Sequence, residues 1–243
     1  MNGLRIEQMN NGIGYVRSVF DRDCAVVFTD HEGDNIYVYT NRPLTGYQQH
    51  NGIYVREFDS KKWDEHDING VGSDARFMHF QCTSYYNGDV SYYERNLCNW
   101  EKLIGLEQLR KHDNGYAHVP SRDFWFSLYG HIPAYDFPEE YVVAHEMTHG
   151  VFNRRDNILK GFINILSYLQ NIENYRKIDV LDEAIAVFMG YSYLKNRHPD
   201  DASRYAKTLM ELDTDEKHEN AFELVFNQYD LVKEIVEKLR NML

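Results

Sequence analysis

The apolar residues of this 243-residue chain follow two patterns. Up to residue 58 they gather in short runs rich in Val, Ile, Tyr and Phe, at 13–20, 24–29, 35–40 and 52–58. Such runs predict strands. Between them lie Asp21-Arg22-Asp23, His31-Glu32-Gly33-Asp34 and Arg42-Pro43-Leu44-Thr45-Gly46, which is turn chemistry. Residues 60–72 are polar and predict a loop, and 76–93 predict a strand pair about Asn87-Gly88. Residues 101–111 have helical spacing in Leu103, Ile104, Leu106 and Leu109, and 124–129 are a short aromatic strand.

After Pro133 the spacing becomes helical. Asp136 is placed to cap a helix whose first turn holds Pro138, Glu139 and Glu140, and which runs to about residue 153. Further helices are predicted over 158–175, 180–195, 202–212 and 221–242. The amphipathic stretch 223–239 is expected to pack on the helical half, with partner binding as the sharper reading. The fold class is therefore α+β. A β-rich part, 1–153, carries the central helix, and a helical part, 154–243, completes one catalytic unit with a cleft between them.

The central helix contains His145-Glu146-Met147-Thr148-His149, an H-E-x-x-H sequence. Residues four apart on a helix share a face, so both imidazoles reach one tetrahedral ion. Glu146 is then placed to take a proton from a water there. Residues 141–152 are apolar on nearly every face, which predicts a buried helix. Buried histidines and a buried carboxylate need partners, and a metal supplies one. The third ligand is not the metzincin histidine, because Phe152 and Arg155 stand where that pattern needs Gly and His. Nor do the surroundings of Cys98 look like the cysteine motif of peptide deformylases. A downstream carboxylate is the remaining route.

Residues 142–151, Val-Val-Ala-His-Glu-Met-Thr-His-Gly-Val, resemble the V-V-A-H-E-L-T-H-A-V of thermolysin-like gluzincins. Residues 181–190, Leu-Asp-Glu-Ala-Ile-Ala-Val-Phe-Met-Gly, are similar to their N-E-A-I-S-D-I-F-G. The two motifs cover about twenty residues. The resemblance implies a zincin-like fold, a Zn2+ cofactor, and Glu183 as third ligand beside His145 and His149. It implies a metalloendopeptidase with Glu146 as general base. A downstream His or Tyr would donate to the oxyanion: Tyr191, Tyr193, His198 and His218 are available, with His218 and Tyr191 ranked first. It implies that an edge strand just before the zinc helix pairs with peptide. Trp125, Phe126, Ser127 and Tyr129 occupy that place, and His131 follows on a loop.

Three departures matter. His149 and Glu183 are 34 residues apart, more than in thermolysin, which implies an extra helical excursion. The family's Asp four residues after the ligand Glu, which orients a ligand histidine, is Val187 here. Asp182, Asn153 and Asp156 are candidates to replace it, and Asp182 also competes with Glu183 as ligand. The calcium sites of the large secreted members are not expected in so short a chain.

Composition narrows the partners. A net charge of −12 repels phosphate backbones, so a peptide or protein substrate is expected and nucleic acid is not. Residues 1–14 lack a basic segment followed by an apolar one, and no stretch predicts a membrane span. Cys24, Cys82 and Cys98 form no C-x-x-C, which suits a reducing, cytoplasmic setting, with export by a route needing no apolar signal left open. Two other readings stay open. One is an inactive binding or regulatory protein on a zincin scaffold; the other is a proteolytic toxin or effector delivered into another cell.

Overall fold

The computed structural model describes residues 2–22, 24–30, 35–57, 105–106, 109, 116–119, 139–153, 178–212 and 216–242. Its fold is mixed α+β, with an N-terminal sheet region followed by the helix carrying His145 and a largely helical C-terminal half. The chain divides into two compact units, Met1–Glu7 with Cys24–Tyr135, and Gln8–Asp23 with Asp136–Leu243. The predicted hairpin at 76–93, the strand at 124–129 and the helix at 158–175 lie outside the described residues.

The first unit holds a five-stranded sheet of order β3-β4-β2-β1-β5. Its strands are β1 (Ala25–Asp30), β2 (Asn35–Tyr39), β3 (Gln48–His50), β4 (Ile53–Glu57) and β5 (Tyr116–Val119). β1 pairs antiparallel with β2, placing Val27 opposite Val38. β5 joins β1 in parallel, from Ala25 opposite Tyr116 to Phe28 opposite Val119. Strands expose alternate residues to alternate faces. Ala25, Val27, Ile36 and Val38 accordingly share one face and pack with Leu106, Leu109 and Tyr116. Phe28 and Tyr37 meet edge-to-face on the other, at 6.0 Å, with the Arg5 guanidinium 5.0 Å from the Phe28 ring.

Strand β3 and its turn are additions to the sequence reading. His50 pairs with Ile53 across Asn51-Gly52, both of positive φ (47° and 84°). That is the two-residue hairpin turn an Asn-Gly pair favours. Of the helix predicted over 101–111, Gly105 is a turn residue with φ 74°, and Leu109 donates its N–H to the Leu106 carbonyl.

Residues 13–20 are not a strand. They end α1 (Asn2–Phe20). Ile6, Met9, Ile13, Val16 and Phe20 are buried at spacings of three and four, so the helical period begins upstream of the β-branched run. Tertiary burial overrides the low helix propensity of this Val-, Ile- and Gly-containing segment. A Cβ on Gly12 would lie 2.8 Å from Val143 of α2 (Glu139–Asn153), so glycine permits the close crossing of these two helices.

The helical unit is organised on α3 (Ile178–Arg197), which packs against α2, α4 (Ala202–Leu212), α5 (Glu216–Asn227) and α6 (Tyr229–Met242). From Val180 to Leu194 only Asp182 and Tyr191 are not fully buried. Lys195 and Arg197 sit in its last turn, where cations favour the helix dipole, and Pro199 follows. The single helix predicted over 221–242 is instead two, α5 and α6, bent at Gln228. No Pro or Gly marks the break. The Tyr229 ring packs on Phe188 at 5.0 Å while its hydroxyl lies 3.1 Å from Ser192 Oγ, which ties the start of α6 to α3. The apolar face of α6 (Val232, Ile235, Val236 and Leu239) is buried.

Candidate metal centre

Helix α2 has two faces. Tyr141, Val143, Ala144, Met147, Thr148, Val151 and Phe152 are buried. Val142, His145, Glu146, His149 and Gly150 are only partly covered. The helix is therefore not buried all round as its composition suggests: one stripe is kept open, and the H-E-x-x-H residues occupy it. Thr148 belongs to the closed face and donates its hydroxyl to the Ala144 carbonyl (2.7 Å), so the polar group is satisfied. Phe20 of α1 packs edge-to-face on Phe152 at the end of this helix, at 5.0 Å.

Helix α3 brings a carboxylate to the open stripe. Glu183 is 2% exposed, and its Oε1 lies 3.0 Å from His145 Nε2 while Oε2 lies 3.5 Å from His149 Nε2. Donors about 2.0–2.1 Å from one zinc at tetrahedral angles stand about 3.3 Å apart. His145, His149 and Glu183 offer one ligand atom each, all within 4.8 Å of one another. The donor set and its spacing therefore fit zinc. Their arrangement is that of a zincin-type catalytic site.

Asp182 settles on a different side. Its Oδ2 lies 2.8 Å from His149 Nδ1, whereas Glu183 meets the same ring at Nε2. The two nitrogens of an imidazole point away from each other, so the carboxylates reach separate edges of the ring. Glu183 shares the ligand side with both histidines, and Asp182 does not. Val187, one turn after Glu183, is fully buried.

The charges are tightly coupled. Burial works against a charged His149, but Asp182 and Glu183 outweigh it and hold the ring's pKa well above the ordinary histidine value. Burial likewise raises Glu183, but His149 and His145 outweigh it and hold this carboxyl well below the usual carboxylate range. A carboxylate kept ionised in a buried setting is a ready metal ligand. Among the described residues, His145 Nδ1 and Asp182 Oδ1 are buried without a hydrogen-bond partner.

The other predicted residues fall into two groups. Tyr191 lies two turns beyond Glu183 on α3, and its ring packs on Phe226 at 4.9 Å rather than on the cluster. Tyr193 is buried edge-to-face against Tyr15 at 5.5 Å, with its pKa pushed up to about 12 by burial first and by Glu140 second. His198 follows the end of α3 and donates its N–H to the Leu194 carbonyl, and His218 lies on α5. Trp125, Phe126, Ser127, Tyr129, His131 and Asp156 lie outside the described residues.

Tyr141 is a site neighbour that the motif alone does not name. Its ring centroid is 6.1 Å from that of His145, which in turn is 5.0 Å from His149. Its position one turn before His145 was the available signal. None of the described helices is long and apolar enough to cross a membrane. No protein-family model, curated protein or solved structure matches the chain. The assignment rests on the cluster itself: His145, His149 and Glu183 are the clustered ligand set of a zinc-dependent hydrolase.

Proposed function

We propose that this chain is a zinc metalloendopeptidase. One observation carries the reading, the convergence of His145, His149 and Glu183 within 4.8 Å beside Glu146 on the open stripe of α2. When bound, zinc supplies a Lewis acid that polarises the scissile carbonyl and brings the pKa of water toward neutrality. His145, His149 and Glu183 would hold it as three protein ligands, the number typical of catalytic rather than structural zinc.

Glu146 is the general base. It stands one residue from His145 on a stripe that solvent reaches. It takes the proton of the attacking water and passes it to the departing amine. For the second oxyanion donor, His218 is preferred to Tyr191, because the Tyr191 ring is occupied by Phe226 and Tyr229. Peptide binding is assigned to Trp125, Phe126, Ser127, Tyr129 and His131, on their sequence position shortly before α2. The acidic chain favours basic peptides over nucleic acid, and its three cysteines, none in C-x-x-C, favour a reducing compartment.

Metal analysis with a peptide-library cleavage profile tests the proposal. The expected result is about one zinc per chain, removed by chelator, with internal cleavage by wild type. Folded protein that takes up no zinc overturns the reading. Zinc-loaded protein that cleaves no peptide in the library leaves the scaffold role in its place.

A further inference from the structure

We propose that Asp182 is a positioning residue for His149: its carboxylate accepts the Nδ1–H and thereby fixes the tautomer that presents Nε2 to the metal. The inference rests on reading His145, His149 and Glu183 as a zinc site.

Three observations carry it. The Asp182 Oδ2 to His149 Nδ1 distance of 2.8 Å is that of a charge-assisted hydrogen bond. Asp182 and Glu183 are consecutive on a helix, so their side chains leave the axis about 100° apart. That angle lets one turn of α3 address both edges of one ring, with Oδ2 at Nδ1 and Glu183 Oε2 at Nε2. Finally, position 187 holds a fully buried valine, so the turn after Glu183 offers no carboxylate. The carboxylate beside His149 comes instead from the residue just before Glu183.

A metal-bound imidazole needs its other N–H held by an acceptor, which fixes ring orientation and raises ligand basicity. Asp182 does this for His149 alone. His145 Nδ1 has no such acceptor among the described residues, and its ring lies near those of Tyr141 and His149. The two histidines are therefore unequal ligands. Loss of Asp182 loosens one of them without removing a donor from the metal.

The test compares wild type with Asp182→Ala, Asp182→Asn and Glu183→Gln. Zinc affinity is read by competition with a chromophoric chelator. The His149 tautomer is read from long-range proton–nitrogen NMR of the zinc-loaded protein. Asp182→Ala is expected to keep the zinc stoichiometry but to lower affinity about 10- to 100-fold, with the Nδ1–H signal lost or broadened. Asp182→Asn keeps an acceptor oxygen, so it should retain the tautomer with a smaller loss of affinity. It carries the test if Asp182→Ala fails to fold. Wild-type affinity and tautomer in both variants overturns the inference and leaves the zinc reading intact. Loss of zinc stoichiometry in Asp182→Ala as complete as in Glu183→Gln also overturns it, since Asp182 would then be a ligand. Wild type that takes up no zinc overturns the site reading itself.

Discussion

A Cβ on Gly190 would stand 2.5 Å from the ring of Tyr141, so α2 and α3 meet where neither has room for a larger residue. This contact lies one turn from His145, between the two helices that carry the three ligands. Gly190→Val must push the ring or the helix aside, and overpacking of this kind costs about 1–3 kcal/mol. The expected outcome is a lower midpoint in urea together with weaker zinc binding. A variant that loses stability while binding zinc as wild type does would show that the crossing does not set ligand spacing.

Glu146→Gln separates binding from chemistry. The amide has nearly the same shape but cannot take a proton. Zinc content should match wild type, while kcat falls by about 10²- to 10⁴-fold, the usual contribution of a general base. Metal analysis and peptide hydrolysis on the same preparation check it. Activity close to that of wild type would assign the base to another group.

Zinc uptake should release a proton and should strengthen with pH. In metal-free protein His149 is held protonated above its ordinary value of 6.5, and a metal ligand must be neutral. Calorimetry in buffers of different ionisation enthalpy reads the released proton directly. The stability of the metal-free protein has the complementary shape. The raised His149 contributes fully below pH 6.5, and its contribution is lost as pH rises through the folded pKa. The lowered Glu183 contributes above its ordinary 4.5, and its contribution is lost as pH falls through the folded pKa. The metal-free melting temperature should therefore be highest between those two values. The gain on adding zinc should be larger at alkaline than at mildly acidic pH.

Val187 and Ile185 are both fully buried, yet an aspartate at the two positions should behave differently. Helices α2 and α3 run antiparallel, with His149 beside Asp182 and Tyr141 beside Gly190. Interpolating between those pairs puts residues 186–187 level with His145, whose Nδ1 has no hydrogen-bond partner among the described residues. Ile185 lies about 200° from Glu183 around the helix, so Ile185→Asp buries a charge on the side away from the imidazoles and should cost several kcal/mol or prevent folding. Val187 follows Glu183 by one turn on the same face, so an aspartate there is expected to reach toward His145 Nδ1 and should cost less, most clearly in zinc-loaded protein. Equal loss in thermal melts of the two variants would refute the pairing.

The histidine pair was legible because a four-residue spacing on a helix has one geometric meaning. Glu183 was legible only through its resemblance to a family motif, since a buried carboxylate can equally cap or pair. The role of Asp182 could be named as one of three candidates, but choosing required the distance to His149. Strands β1, β2 and β4 followed from their β-branched runs. The same signal misled at residues 13–20, where burial against α2 decides for helix. Neither β5 nor its parallel pairing could be read locally, because Tyr116–Val119 becomes a strand by lying beside Ala25–Phe28. The open stripe of α2 was hidden too: composition reports how apolar a helix is, and its neighbours decide which side is covered.

The Gly12 crossing with Val143 has a consequence for the order of events in folding. A helix made from the first twenty residues docks on one that is translated more than a hundred residues later. Contacts so distant along the chain close late and slowly. Glu183 must then arrive from further along still. A ribosome-bound chain therefore carries both histidines before it carries Glu183, and the three ligands can meet only after the residues between His149 and Glu183 have been made.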